Sequence, residues 1–236
     1  MEGAMQRQQE IRVGTSGWYY DWNPDLSLDW YAQNSGLNAI ELNASFYRFP
    51  YKNQITSWAR KGRSLSWAVK VHRSVTHSHR FNEKAVDVWH RFLDAFSPLD
   101  PLVRFYLFQA HPRISDPDLL IRFAEEAGLG ERFALEIRNR ALLTDDDACR
   151  RLQEHLTLVS VDSPDVRNRI FPGEPIYLRV HGRTGWYSHD YTAEELGEMA
   201  GLLRESGTGR IYIFFNNDHT MLSNARAMRE LLEGSG

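Results

Sequence analysis

Short apolar runs alternate along the chain with longer amphipathic stretches. Eight runs bounded by turn-forming residues read as buried strands: Ile11–Thr15, Asn38–Asn43, Ser66–His72, Arg104–Gln109, Phe133–Arg138, Thr157–Asp162, Ile176–His181 and Ile211–Asn216. Most gaps between them hold apolar residues at helical spacing. The predicted helices are Leu26–Asn34, Asn53–Lys61, Asn82–Phe96, Asp118–Ala127, Thr144–Leu152, Thr192–Arg204 and Ser223–Leu232. Gly128 can end the fourth of these, and T-A-E-E at Thr192 is a capping-box pattern. The polar stretch 1–10 reads as a disordered leader, and 11–236 as one domain without repeat, linker or compositional boundary.

Eight strands alternating with helices imply a parallel sheet with helical crossovers. Eight is the number that closes a (β/α)8 barrel, so the predicted fold is a single TIM-barrel-like α/β domain with its pocket at the C-terminal ends of the strands. A doubly wound dinucleotide fold needs a Gly-rich phosphate loop after the first strand. Here that turn reads T-S-G-W-Y.

Composition narrows the function classes. The 28 Lys+Arg and 31 Asp+Glu give a formal charge of −3, which exerts no strong pull on nucleic acid or anionic membrane. A single cysteine, Cys149, excludes an intramolecular disulfide and multi-cysteine metal sites, and fits a reducing compartment. No apolar run approaches the ~18 residues of a membrane span, and the first ten residues lack a signal-peptide core. The expected location is the cytoplasm, and the oligomeric state stays open.

Strand side chains alternate faces, so polar residues at period two can be sorted. Glu41 and Asn43 oppose Ile40 and Leu42; Lys70 and His72 oppose Val69 and Val71; Glu136 and Arg138 oppose Leu135 and Ile137. Tyr177, Arg179 and His181 oppose Leu178 and Val180, and Asp162 opposes Val161. Strand four ends at Gln109, strand eight at Asn216, Asn217 and Asp218. With the aliphatic face against the helices, these polar residues converge on the catalytic face. Glu41, Glu136 and Asp162 nearly balance Lys70, Arg138 and Arg179, as a mutually paired network requires.

The residues resemble the YecE-like family, seventy-second of the domain-of-unknown-function series. The matching blocks are V-G-T-S-G-W at Val13–Trp18, E-L-N-A-S-F-Y-R-F-P at Glu41–Pro50, A-V-K-V-H-R-S-V-T-H at Ala68–His77, and F-Q at Phe108–Gln109. A-L-E-I-R at Ala134–Arg138, Asp162, Y-L-R-V-H-G-R at Tyr177–Arg183, Y-I-F-F-N-N-D at Tyr212–Asp218 and the pair Asn224–Ala225 complete the series. The resemblance implies a TIM-barrel-like fold and no established reaction. The chain departs from the family pattern at His111, where a proline is usual, at Asn139–Leu142, where H-x-S-W is common, and at His219–Ser223, where a glycine and an alanine often stand.

Several chemistries compete for the pocket. Arg179 and Arg183 lie where TIM barrels bind phosphate, with Arg183 the freer of the two; the alternative for Arg179 is an ion pair with Glu136 or Asp162. His181, His72, His77, Glu41, Glu136 and Lys70 are acid–base candidates. Lys70 could also serve as a Schiff-base nucleophile, although an ion pair with Glu41 is the favoured reading. The cofactor is unknown: Glu41, Glu136, Asp162, His181 and Asn216 could ligate a divalent metal, but three basic residues on the same face disfavour it. Glycoside hydrolysis ranks low, because strands four and seven end in Gln109 and His181 rather than two carboxylates. Aromatic residues crowd the loops, and Trp18 and Tyr47 could stack a base or sugar.

The sequence therefore predicts an enzyme acting on a small phosphate- or carboxylate-bearing ligand, with phosphoester hydrolysis as the first reaction to test. Glu41, Glu136, His181, Lys70 and Asp162 are the catalytic candidates. Asn43, Tyr47, Arg48, His72, His77, Gln109, Arg138, Arg179, Arg183, Asn216, Asn217, Asp218 and Trp18 are the ligand-binding candidates, with no metal ligand assigned. The alternative is a non-catalytic nucleic-acid-binding protein that uses the same basic, aromatic-lined pocket.

Overall fold

A computed structural model describes residues 9–234. The leader read at 1–10 thus lies outside the described residues except for its last two, and Glu10 already pairs with Arg210 as the first residue of a strand.

The elements follow in the order β1 (Glu10–Thr15), α1 (Leu28–Asn34), β2 (Ala39–Leu42), α2 (Lys52–Lys61), β3 (Ser66–Lys70), α3 (Glu83–Phe96), β4 (Val103–Gln109) and α4 (Pro117–Ala127). Then come β5 (Phe133–Glu136), α5 (Arg140–Leu143), α6 (Asp146–Gln153), β6 (Thr157–Leu158), β7 (Ser160–Asp162), β8 (Ile176–Val180), α7 (Ala193–Glu205), β9 (Arg210–Phe215) and α8 (Met221–Glu233). Local chemistry sets the helix starts. Ser27, Asn82, Asp116, Asp145 and Thr192 each accept a first-turn backbone N–H, and Thr192 with Glu195 completes the capping box.

All named strands run parallel, in the order β6-β5-β4-β3-β2-β1-β9-β8-β7. The ends of that order, β6 and β7, are halves of the single strand predicted at Thr157–Asp162, interrupted at Val159. The first half bonds to β5 and the second to β8, so the ring closes through the chain itself as a TIM-barrel-like α/β fold. The following crossover, 163–175, is an irregular loop instead of a helix. A two-bond bridge between Arg169 and Val161 ties it back to the barrel, as does the Phe171 amide donating to Ser160 Oγ at 2.9 Å.

Register fixes which side chains face the axis. Glu41 aligns with Ala68, Lys70 with Leu107, Gln109 with Glu136, and Arg179 with Val161 and Phe214. Small residues (Gly14, Ala39, Ala68, Ala134) face large ones (Phe105, Tyr177, Tyr212, Phe214), and the Phe105–Tyr177 and Phe105–Tyr212 ring centroids are 5.0 and 4.9 Å apart. At Gly14 a β-carbon would lie 2.3 Å from the Ala39 carbonyl oxygen, so only glycine lets β1 and β2 approach. On the outer face Tyr106, Phe108 and Phe133 pack under Trp89, Phe92 and Phe123 of the helices, with Phe108 and Phe133 stacked at 3.9 Å.

Candidate functional site at the barrel mouth

The polar residues predicted to face inward form one cluster around Arg179. Its Nε donates to Glu41 Oε2 at 2.9 Å and its Nη2 to Glu41 Oε1 at 2.6 Å, while Nη1 bonds to Glu136 Oε2. Glu41 also accepts from Ser16 Oγ at 2.7 Å and Tyr177 Oη at 2.6 Å. All of these groups are fully or almost fully buried. Burial alone would raise the Glu41 carboxyl, but the bidentate Arg179 guanidinium outweighs it and holds the group below its usual range. Glu136 is held lower still: burial again opposes, and Arg138, Arg179 and His181 overcome it. Arg138 Nη2 forms an ion pair with Glu136 Oε1 at 2.7 Å, and Gln109 Nε2 donates to Oε2 at 3.1 Å.

His181 sits beside this cluster, fully buried. Its Nε2 is 3.0 Å from Glu136 Oε1, and its Nδ1 is 3.3 Å from Asn216 Nδ2. Burial is the largest influence on the ring. Glu136 opposes it, Arg179 and Arg138 reinforce it, and the imidazole pKa falls to about 4. A neutral ring with hydrogen on Nε2 would donate to Glu136 and accept from Asn216 at Nδ1; Arg138 Nη2 and Arg179 Nη1 also approach Nε2, at 3.4 and 3.5 Å.

Lys70 differs from the predicted pairing. Among the described residues its Nζ makes no hydrogen bond and has no carboxylate within 4.0 Å, so the ion pair with Glu41 does not form; Arg179 has taken both oxygens of that carboxylate. Lys70 as a residue is 8% exposed, and its amine lies 4.3 Å from the Phe46 ring centroid. Burial lowers its pKa to about 7, assisted by Arg179 and Arg138 against the raising fields of Glu136 and Glu41.

Two further expectations are corrected by geometry. Asp162 is in register with Val180, on the face turned away from the axis, and it is Val161 that faces inward beside Arg179. Asp162 instead binds Arg183 Nε at 3.1 and 3.2 Å, Tyr191 Oη at 2.6 Å and the Asn168 amide at 2.9 Å. Arg183 is not the freer arginine either. Its remaining donors go to Glu198 and Asn168, each at 2.9 Å, so its guanidinium ties the 163–175 loop to α7.

The structure places the other candidates unevenly. Arg138 carries its guanidinium 4.6 Å from the Trp186 ring centroid, and its Nε is buried without an acceptor. Asn43 Oδ1 is likewise buried without a donor. His77, on a single π-helical turn at Ser74–Ser78, contacts Phe46 and His111 at 5.1 and 5.2 Å; burial, followed by His111 and Lys70, lowers it to about 4. His72 packs on Phe49, and burial lowers it too. Tyr47 is 71% exposed and Arg48 is exposed. Asn217 is buried among His189, Thr220 and Asn224, and Asp218 adopts a positive φ of 61° in the next turn; neither touches the Arg179 cluster. Trp18 meets Trp58 and Trp67 edge-on at 5.9 and 6.1 Å, an arrangement for packing rather than base stacking. Among the described residues no group of three or more His, Cys, Asp or Glu side chains could hold a metal ion, because Arg179, Arg138 and Arg183 occupy the carboxylates a cation would need.

Comparison with known proteins bears on this arrangement. The family model "Protein of unknown function DUF72" matches residues 12–236. The chain belongs to the DUF72 family. Two solved DUF72 structures are similar over nearly their full length. One from Thermotoga maritima has 25% identity and a TM-score of 0.77, covering 95% of this chain and 99% of that one. One from Enterococcus faecalis has 18% identity and a TM-score of 0.80, covering 94% and 95%. Outside the family, the 3-keto-L-gulonate-6-phosphate decarboxylase of Vibrio cholerae shares the fold at 11% identity and a TM-score of 0.54, over 96% of this chain and 99% of that one. No curated protein matches the chain. Among the described residues no helix is long and apolar enough to cross a membrane.

The departures from the DUF72 pattern have local roles. His111 supplies the ring against His77. Asn139 caps α5 by accepting from the Leu142 amide at 3.0 Å and ties it to Pro112 through Nδ2 at 2.9 Å. Sequence reasoning missed Ser16 and Tyr177 as the hydroxyls that orient Glu41. It also missed a relay after β8, in which Thr184 Oγ1 meets His189 Nδ1 at 3.0 Å and His189 Nε2 meets Glu195 Oε2 at 2.8 Å. Glu195 also accepts the Thr192 amide at 3.0 Å, so this relay secures the start of α7. Tyr177 was legible as an inward strand position; the relay had no signal beyond residue type.

Proposed function

We propose that the barrel mouth of this DUF72 protein is the active site of an enzyme acting on a small phosphate- or carboxylate-bearing substrate. One observation carries the reading. On a face whose carboxylates are fully paired, two cations keep unspent capacity among the described residues: Lys70, which has no hydrogen-bond or carboxylate partner there, and Arg138, whose Nε lacks an acceptor while its plane lies over Trp186. A buried donor without a partner costs about 1–3 kcal/mol, which an anionic group at Arg138 would offset. Their position towards the C-terminal ends of the strands supports the reading, since TIM barrels carry out their chemistry there.

The sequence-level lead, phosphoester hydrolysis, needs a base for water and an acid for the leaving group. Glu41 and Glu136 are held ionised and wholly occupied, so they serve as fixed counter-charges. Lys70, with its pKa near neutral, and His181, a neutral imidazole oriented by Glu136, are the groups left to move protons. Asn43, Gln109 and Asn216 supply uncharged contacts to the rest of the ligand.

The test is a thermal-shift panel of inorganic phosphate, sugar phosphates, small carboxylates and short DNA. A ligand at a hundred times its Kd adds ~2.7 kcal/mol. For a domain of this size that raises Tm by roughly 5–11 °C. The reading requires a small anion to do this and Arg138→Ala to cut the shift to about half or less, as a tenfold loss of affinity at the same ligand concentration dictates. A response to DNA alone would favour the nucleic-acid reading instead.

A further inference from the structure

We propose that Lys70 is a covalent nucleophile whose amine condenses with the carbonyl of a small anionic aldehyde or ketone to form an imine in the barrel mouth. The inference rests on the anionic-substrate reading and names the substrate class.

The placement of the amine is the first support. A buried ammonium with a purely structural role is normally paired. Lys70 lies against the face of Phe46, beyond 4.0 Å of every carboxylate among the described residues, although it shares the inward face of the barrel with Glu41 and Glu136. A nucleophile must be left unpaired in this way.

The residue type is the second, independent support. Only four of the 28 Lys+Arg residues are lysines: Lys52, Lys61, Lys70 and Lys84. Lys52 and Lys84 are exposed, and Lys61 binds Asp29. The paired buried cations, Arg179 and Arg183, are arginines. A guanidinium stays protonated and cannot attack a carbonyl, whereas a desolvated lysine can. Among the described residues, lysine thus stands at the one buried basic position that lacks a carboxylate partner.

The surroundings are the third. Burial disfavours the ammonium most, Arg179 from β8 and Arg138 after β5 add to it, and Glu136 and Glu41 restrain the shift. The amine consequently titrates near neutrality and presents its lone pair at pH 7.

The step balances without a co-reactant. The ammonium first releases a proton. Nζ then forms the C–N bond as the carbonyl π bond breaks; the oxygen takes up that proton, and the nitrogen gives up one of its own, which regenerates its lone pair. The carbinolamine next loses its C–O bond, with one further proton, as water. The nitrogen lone pair forms C=N, so ammonium plus carbonyl gives protonated imine plus water.

Borohydride trapping tests this, with pyruvate and dihydroxyacetone phosphate as carbonyl probes. Lactate and glycerol 3-phosphate serve as their non-carbonyl counterparts. Peptide mapping should find a reduced adduct on Lys70 with at least one carbonyl probe, severalfold above the labelling of Lys52 and Lys84, and none with the counterparts. Lys70→Arg should lose the adduct yet keep a thermal shift with the counterpart anion. If the carbonyl anions raise Tm but label Lys70 no more than Lys52 and Lys84, the imine is overturned and the anion site stands. If none of the four anions changes Tm, the anion site fails and the imine with it.

Discussion

Arg179 meets Glu41 edge to edge in the barrel interior, through two bonds of 2.9 and 2.6 Å, with no exposed surface on either side chain. The carboxylate on the second strand and the guanidinium on the eighth are 138 residues apart in the chain, so this pair helps lock the barrel across its axis. Arg179→Met would leave Glu41 and Glu136 facing each other without their shared cation. Breaking a buried pair from one side costs about 3–5 kcal/mol. That lowers Tm by roughly 6–20 °C. Glu41→Gln should cost less, because Arg179 keeps Glu136. Calorimetry of the two variants and their double mutant measures the coupling; additive losses would mean that the cluster does not act as a unit.

Arg183 and Arg138 should separate stability from binding. Arg183 spends its donors on Asp162, Glu198 and Asn168, so Arg183→Ala should lower Tm and leave anion affinity unchanged within twofold. Arg138 holds Glu136 with one nitrogen and keeps a buried Nε without an acceptor. Arg138→Ala should weaken phosphate or carboxylate binding about tenfold or more, the weight of a charge-assisted hydrogen bond or two. Isothermal titration on both variants distinguishes them, and the opposite assignment would return the anion to the loop after β8.

The fold was legible because the outward faces of the strands are apolar while the inward ones turn polar towards the C-terminal ends, a contrast that survives without knowledge of partners. Asp162 shows where the rule fails. In its strand Val159 and Val161 face the axis while Ser160 and Asp162 face the helices, and polarity alone inverted the assignment. The distribution of partners within the cluster was not legible either. Period two places Lys70 and Glu41 on the inward face, but it does not say that a guanidinium reaching from β8 will take both oxygens of Glu41. Arg183 lies beyond the last strand residue, where alternation gives no direction. The site was therefore readable as a set of residues and not as a set of pairs.

His181 makes stability depend on mildly acidic pH. Burial, against the pull of Glu136, lowers its folded-state pKa to about 4, while an unfolded histidine titrates near 6.5. Between these values the unfolded chain binds a proton that the folded chain does not, so this contribution is complete above ~6.5 and is lost as pH falls towards 4. Denaturant unfolding at pH 7, 6 and 5 should show the slope. His181→Gln should flatten it by up to one proton while retaining an amide for Glu136. An unchanged slope would assign the acid sensitivity to other groups.

Lys70 works in the same direction at higher pH and makes the strongest stability prediction. Its folded-state pKa is lowered to about 7 from an unfolded value near 10.4, with burial as the main cause. The folded protein therefore gives up a proton that the unfolded chain keeps between these values, and stability from this group rises from pH 7 towards 10. At pH 7 and below, the buried amine is a liability on the order of a few kcal/mol. Lys70→Met matches its length, lies as readily on Phe46 and removes the charge. It should raise Tm by roughly 5–10 °C at pH 6. The gain should shrink by pH 9, while any anion binding or turnover is lost. A variant that melts lower at pH 6 would mean that Lys70 has a stabilising partner in solution. That result would remove the basis for an uncommitted amine in the barrel mouth.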